Sequence, residues 1–527
     1  MDNQELYTEI WKKYDRCREY LNQINLVART EECWRFYLGD QWHGLESGGE
    51  RLPLFNIIKG VVRYKTSVVA QNAMIAVYSP MGRTEEALAA CDTLNMFFRQ
   101  NWEKGKLDAK LWTVVKRAQI QGESYLFYGT DDMTDPQILS NVNVLFADEQ
   151  ETDIQKQPYI LIYERRSVKS VREEAKANNV AEEEIARITS DTHTEYQLGG
   201  RQEAKATDGD DGKCESILFM EKDEDGIVWV ARSTKSCVYQ PKRKIQATDS
   251  EGNFTGIGLR SYPIVPFVWE EQPNSCRGYS GVRAMIPNQL ELNKTLARRS
   301  ISVKMCAFPK VVYDGNVVTD PAAIDKVGQK VRIQNLSARN ISDVISYLNP
   351  ATMSSDAKAL AEDLLSYTRD LEGAGEAATG QIDPEKASGT AILAVKNQSE
   401  LPLNEYVSRK TQFVEDLAMV WFDMILAYMP NGLTIEDEDE SGTIITREIP
   451  ADILEHLRVN VRVDVSQANP FSKLAREQAL ERMLEKNWIT FEEYVDALDE
   501  DSNVPKAKVK EILEKRKAQA IEGANST

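Results

Sequence analysis

The chain has 527 residues, with 64 Lys and Arg against 83 Asp and Glu, so its formal net charge is −19 and its pI is near 4.9. This length predicts about three or four compact units, and the acidic balance argues against a protein that grips nucleic acid, because such proteins present a basic face. The composition leaves open a protein past which DNA must move without adhering.

Cysteine and histidine usage excludes several kinds of site. The seven cysteines form no CxxC pair and the three histidines form no HExxH motif, which argues against a disulfide framework, a zinc centre or histidine-based catalysis. The polar N-terminus predicts no signal peptide. The longest apolar stretch, 417–429, is too short to cross a bilayer. We therefore expect no metal, no cofactor and no membrane.

The first 121 residues are typical of helices. Apolar residues recur near the helical period in 1–30 and in 84–121, and residues 54–77 are apolar with interspersed cations, which predicts a helix packed on one side. From 122 to 270 the pattern changes to β-branched and aromatic runs bounded by Gly, Asp and Pro, interrupted by an acidic helix at about 167–188.

Long helices return in the second half. We predict helices at 280–306 and 352–372, separated by an α/β segment with strand-like 310–313 and 330–333. A Gly-rich stretch precedes a long helical pattern from 390 to 429, in which Pro402 should cause a kink. Strands are expected within 433–466, and polar helices follow, one of them begun by a capping box of Thr490 and Glu493.

Two motifs have competing interpretations. Residues 375–382 match only the glycine spacing of a P-loop and lack its Lys and Ser/Thr, so we interpret them as a loop. Residues 437–448 match the ligand spacing of a calcium-binding EF-hand loop. Strand-like flanks and the nearby Pro430 and Pro450 favour a solvated β-hairpin turn instead.

The predicted helix at 280–306 is basic in an otherwise acidic chain. Lys294 and Arg298 share one face at i, i+4 spacing. The simpler interpretation is a solvated face or ion pairs with neighbouring residues. The functional interpretation is a set of cations beside a passing polyanion.

The order of these elements resembles the portal protein of tailed bacteriophages. Residues 34–42 (WRFYLGDQW) with 54–59 (LFNIIK) are similar to the N-terminal region of that family, and 262–267, 277–281 and 289–293 are similar to its passage into the stem. Residues 387–392 (ASGTAI) resemble the start of its kinked helix. The resemblance implies a mainly α chain with a β-rich wing subdomain (α+β), assembled as a ring.

The family's parts are carried over by position. The resemblance implies a wing at 1–275 (helical to 121, β-rich at 122–275), stem helices at 276–306 and 351–372, a clip at 307–350, a tunnel loop at 373–389, a kinked helix at 390–430, a β-hairpin and strand region at 431–469 and a crown at 470–527.

The resemblance also implies function and partners. It implies a ring of twelve self-associated subunits that forms a channel at one capsid vertex for packaging and ejecting double-stranded viral DNA. The ring would assemble in the host bacterial cytoplasm and contact the major capsid protein. It would dock the terminase large subunit during packaging and the head–tail adaptor afterwards. Such a protein guides DNA and is not an enzyme.

Candidate site residues follow from these parts. The DNA-tunnel candidates are Lys294, Arg298, Glu376, Thr379, Gln381 and Lys386; the clip docking candidates are Lys310, Tyr313, Lys330 and Arg332; the kink is at Pro402. The alternatives are a structural or scaffold virion protein without a channel and a Mg²⁺-dependent nucleic-acid-processing enzyme.

Overall fold

The computed structural model describes residues 3–44, 52–71, 74–82, 84–130, 133–191, 212–248, 255–307, 310–324, 326, 328–334, 336, 340–348, 356–374, 401–438, 444–465, 480, 482–484, 486 and 488–497. Helices and strands are mixed throughout this part of the chain, in agreement with the α+β expectation.

The helices are α1 (Asn3–Gln23), α2 (Leu26–Leu38), α3 (Ile57–Ala70), α4 (Glu85–Lys104), α5 (Leu107–Gln121), α6 (Val168–Ala177), α7 (Glu182–Ala186), α8 (Ile286–Ala307), α9 (Ile341–Val344), α10 (Asp356–Leu371), α11 (Asn404–Tyr428), α12 (Ala451–His456) and α13 (Phe491–Ala497).

The strands are β1 (Met74–Pro80), β2 (Glu123–Phe127), β3 (Gln137–Ser140), β4 (Val144–Phe146), β5 (Tyr159–Ser167), β6 (Lys213–Lys222), β7 (Val228–Thr234), β8 (Val238–Lys244), β9 (Ile264–Val268), β10 (Glu270–Glu271), β11 (Gly278–Tyr279), β12 (Val311–Tyr313), β13 (Ile345–Tyr347), β14 (Leu433–Glu438), β15 (Ile444–Ile449) and β16 (Val459–Val465).

A five-stranded antiparallel sheet, in the order β4-β5-β6-β7-β8, forms the β-rich part. One of its faces is covered by α1, whose residues Leu6, Ile10, Tyr14, Cys17 and Leu21 recur at helical spacing and are buried. The acidic helix expected at 167–188 is divided into α6 and α7.

The main core is built around α11. Phe413, Leu417, Trp421 and Ile425 lie on this helix and are buried against β1, β2, β9, α4 and α5. A helix with so many buried positions packs on several sides at once, which explains the apolar sequence that precedes Pro430.

One element in the N-terminal part was predicted wrongly. The helix expected over 54–77 ends at Ala70, and residues 74–80 form β1. Met74, Ala76 and Tyr78 are buried in alternation, the two-residue period of a strand. This strand pairs antiparallel with β16, almost 400 residues away, so its partner could not be found from the local sequence.

The region between α8 and α10 differs from its prediction at one of the two strand-like segments. Residues 310–313 contain β12, which pairs with β13, whereas 330–333 contributes only an isolated bridge between Ile333 and Val318. In the 433–449 region, β14 and β15 pair antiparallel, as the hairpin interpretation of 437–448 requires. The capping box is present: the Glu493 carboxylate accepts the Thr490 N–H at 2.8 Å and the Thr490 hydroxyl accepts the Glu493 N–H at 3.3 Å.

Candidate channel and docking surfaces

Two helices expected to form the stem lie side by side. α8 begins at Ile286, after a short 3₁₀ turn, rather than at 280, and its 22 residues span about 33 Å. Ile286 and Leu292 on α8 and Ala361 on α10 are buried in one cluster with residues of α2 and α3. The Asn288 amide donates to the Thr368 hydroxyl at 3.2 Å. The pair therefore forms a continuous rod that starts inside the core cluster shared with α2 and α3.

The exposed side of α8 carries the predicted cations. Pro287, Glu291, Lys294, Arg298 and Ile301 follow one another at three- and four-residue steps, which places them on one face of the helix. Arg298 is 72% exposed and pairs with Glu291 at 3.4 Å. A pair so exposed is worth about 0–1 kcal/mol, so the guanidinium can exchange this partner for another anion.

The other four tunnel candidates lie outside the described residues. These are Glu376, Thr379, Gln381 and Lys386. Pro402 lies in the 3₁₀ turn Leu401–Leu403 that leads directly into α11. Residues 375–400 are not described, so the kink at Pro402 stays a prediction.

The four docking candidates lie at the far end of the rod. Lys310, Tyr313, Lys330 and Arg332 are all exposed. Their backbone is held: the Lys310 carbonyl accepts the Leu348 N–H at 2.8 Å, and the Arg332 carbonyl accepts the Thr319 N–H at 3.2 Å. The segment thus presents three cations and a phenol from a fixed backbone.

A buried polar network joins the α2–α3 region to α8, and sequence reasoning missed its role. The Gln289 side chain accepts the Ile57 N–H at 2.9 Å and donates to the Phe55 carbonyl at 2.7 Å. It also donates to Asn293, whose amide donates to Gln41 at 2.6 Å. The residues come from the three strings 34–42, 54–59 and 289–293, which are therefore one structural unit.

Asn56 fixes the entry to α3 in the same region. Its side chain accepts the Lys59 N–H at 3.0 Å as the N-cap of that helix, and its amide donates to the carbonyls of Phe36 and Tyr37. One side chain therefore caps one helix and satisfies the end of another.

A second buried unit lies where β11 leads into α8. The Arg277 guanidinium lies 3.0 Å from the Glu123 carboxylate and donates to the carbonyls of Asn141 and Val144, and the Gly278 N–H donates to Glu123. Both charged side chains are almost completely buried. Burial raises the pKa of the Glu123 carboxyl, and the neighbouring Arg277 opposes that shift.

The end of α10 is tied to α3. Lys65 is buried on α3, and its ammonium lies 2.5 Å from the carboxylate of Glu372, just after the last residue of α10. A partly buried pair with this geometry fixes the chain at the point where it leaves α10.

The described residues contain neither a candidate metal site nor a candidate membrane-spanning helix. No group of three or more His, Cys, Asp or Glu side chains there could hold a metal ion. No helix in that part of the chain is long and apolar enough to cross a membrane.

A protein-family model matches almost the whole chain. The family model described as Phage P22-like portal protein matches residues 11–526. A chain of the virion of native gene transfer agent (GTA) particle is similar, with a TM-score of 0.39, 10% identity, and 89% of this chain and 92% of that chain covered. A chain of the neck of empty GTA particle computed with C6 symmetry has a TM-score of 0.36 and 11% identity, with 84% and 88% covered. No curated protein sequence matches.

Proposed function

Because this chain belongs to the Phage P22-like portal protein family, we propose that it forms a ring-shaped channel at one capsid vertex through which double-stranded viral DNA is packaged and later ejected. The family match over residues 11–526 is the observation that carries this proposal. The ring has about twelve copies, and its mechanism is guidance of the polymer rather than catalysis.

The parts are proposed by position. The wing comprises 1–275, the stem 276–306 and 351–372, the clip 307–350, the tunnel loop 373–389, the kinked helix 390–430, the hairpin and strand region 431–469, and the crown 470–527. The rod of α8 and α10, anchored at one end in buried polar networks and bearing an exposed segment at the other, supports the stem and clip assignments.

We assign the proposed partners to different surfaces of the protein. Lys310, Tyr313, Lys330 and Arg332, all exposed, are proposed to dock the terminase motor during packaging and the head–tail adaptor afterwards. The wing is proposed to contact the major capsid protein, and the ring to assemble in the host bacterial cytoplasm. The tunnel loop and the Lys294–Arg298 face of α8 are proposed to line the DNA path.

Electron microscopy of the purified full-length chain tests the channel directly. We expect rings with a central hole wide enough for a DNA duplex. Assemblies without a hole would favour a scaffold-like virion protein, and Mg²⁺-dependent nuclease or ATPase activity would favour a processing enzyme. A strictly monomeric species at every concentration would contradict the proposal.

Docking has its own test. Alanine at the four clip residues should weaken capture of the adaptor or of the terminase large subunit while leaving the thermal unfolding midpoint unchanged, because these side chains are exposed. Unchanged capture would remove the clip assignment without affecting the ring.

A further inference from the structure

Two exposed apolar patches lie near the top of the stem. The first patch consists of Leu38, Leu54 and Phe55, which are 58%, 48% and 47% exposed. These residues are neighbours: Leu54 lies against Gly39, and the Asn56 amide holds the carbonyls of Phe36 and Tyr37. Such a group of neighbours presents more large apolar surface to water than scattered single residues do, which is typical of a contact surface.

The second patch consists of Leu360, Tyr367 and Leu371 on α10, which are 46%, 63% and 81% exposed. Their spacing of seven and four residues places them in one stripe along the helix. The half-buried Leu364 continues this stripe towards the core cluster shared with α8.

The two patches are at the same height but on different sides of α8. Asn288 donates to Thr368, next to Tyr367 of the second patch, whereas Gln289 donates to the carbonyl of Phe55 in the first patch. Successive helix residues rise by 1.5 Å and point about 100° apart. The Lys294–Arg298 face points in a third direction, towards neither patch.

The charges around the patches are complementary. Lys59 and Arg63 lie beside the first patch on α3, a helix without acidic residues, and the Lys59 ammonium lies 6.0 Å from the ring of Tyr37. Exposed Asp363 and Asp370 flank the second patch on α10. Two copies related by rotation about an axis along the stem can therefore join apolar to apolar and basic to acidic surface.

We propose that the first patch of one copy contacts the second patch of the next copy, as the head-to-tail contact that closes the ring. This inference rests on the proposed function and names the surfaces by which the copies join. A heterologous ring contact needs two different patches on two sides of the subunit, and these two meet that requirement.

Two variants remove one patch each. The first carries Leu38→Ser with Phe55→Ser, and the second carries Tyr367→Ser with Leu371→Ser. Each should raise the concentration of half-assembly by roughly tenfold or more, measured by mass photometry of the full-length chain, because the buried apolar area at every junction is lost. The matched control is Met81→Ser with Leu88→Ser, which removes two side chains of similar exposure outside both patches. Circular dichroism and thermal unfolding check that all three variants fold.

Mixing the two patch variants tests the direction of the contact. Each lacks a different half, so a 1:1 mixture retains one intact junction and should form heterodimers but no rings. Homodimers of either variant alone would show like-to-like contacts and overturn the proposal. Rings from both patch variants at wild-type concentrations would also overturn it while leaving the channel function intact, whereas absence of rings from the wild-type chain would contradict the function itself.

A charge reversal gives an independent test. Lys59→Glu with Arg63→Glu should weaken assembly, and adding Asp363→Lys with Asp370→Lys to the same chain should restore it at least in part, with the effect largest at low salt. Failure of the combined variant to recover any assembly, in a chain that folds, would contradict the pairing of these two patches.

Discussion

Arg277 illustrates how a single buried side chain can join several elements. Its guanidinium binds Glu123 of β2 and the carbonyls of Asn141 and Val144, and it lies 4.8 Å from the ring of Phe146. The next residue, Gly278, lies in β11, which leads to α8. The local sequence around residue 277 was noted only as part of a similar string, because burial of a lone arginine leaves no pattern in composition.

Replacing Arg277 should show how much the Arg277–Glu123 ion pair contributes to the free energy of unfolding. Arg277→Met leaves a carboxylate buried without its counter-charge, so we expect the free energy of unfolding to fall by about 3–5 kcal/mol in chemical denaturation. The same substitution at exposed Arg298 should change it by about 0–1 kcal/mol. Adding Glu123→Leu to Arg277→Met should recover part of the loss, and equal losses at both arginines would contradict the buried pairing.

Lys410 provides a prediction of pH dependence. This lysine of α11 is 2% exposed, and its ammonium donates to the carbonyl of Ala70 at 3.2 Å. Burial lowers its pKa from 10.5 to about 8, and Asp108 opposes the shift. Because the folded-state pKa lies below the unfolded value, the unfolded chain binds more protons between about pH 8 and pH 10.5, and stability gained from this group rises with pH across that window.

Lys410→Met should remove that dependence. The stability of the Met variant relative to wild type should be highest below pH 8 and decline by up to about 3 kcal/mol towards pH 10.5, measured by denaturation at a series of pH values. Exposed Lys294→Met is the control substitution. A difference that does not change with pH would contradict the burial of a charged Lys410.

At the scale of elements, a helix or strand could be predicted from the sequence when the residues that stabilise it are close to it in the chain. The periodic apolar residues of α1, α4, α5 and α8 and the capping box of α13 were recognised from nearby residues. β1 was missed because its strand pairing is supplied by β16 at the other end of the chain. Residues 330–333 were expected to be strand-like but contribute only an isolated bridge, because the choice of β13 as the partner of β12 depends on how the intervening segment folds back.

The meeting of β11 with the end of α5 depends on two glycines. Gly122 has φ near +100°, and a methyl group on Gly278 would overlap the carbonyl oxygen of Gly122. Gly278→Ala should therefore lower the free energy of unfolding by about 1–3 kcal/mol, because the packed backbone must move to make room for the methyl group. Gly60 on α3 has no atom within 4 Å of such a methyl group, so Gly60→Ala should stabilise by about 0.5–1 kcal/mol. Thermal unfolding of both variants measures this contrast, and a stabilising Gly278→Ala would contradict the close approach.

At the scale of the whole molecule, the acidic composition and the position of the few exposed cations determine how the protein would interact with DNA. The proposed ring, built of chains that each carry a net charge of −19, would repel DNA as a whole. The exposed face of α8 with Lys294 and Arg298 differs in sign from that background. A mostly repulsive wall with a few cations lets a polyanion slide without being held, since each phosphate contact adds to adhesion.

Neutralising that face should therefore separate transport from assembly. Lys294→Gln with Arg298→Gln should leave ring formation intact, because neither side chain belongs to a buried cluster, but should slow DNA packaging, most strongly at low ionic strength where charge interactions are least screened. Lys169→Gln with Lys176→Gln removes the same charge from α6 and should have no effect. In vitro packaging with the partner motor measures the rate. Equal slowing in both variants would mean that only net charge matters, and unchanged packaging at low salt would show that the Lys294–Arg298 face does not meet the DNA.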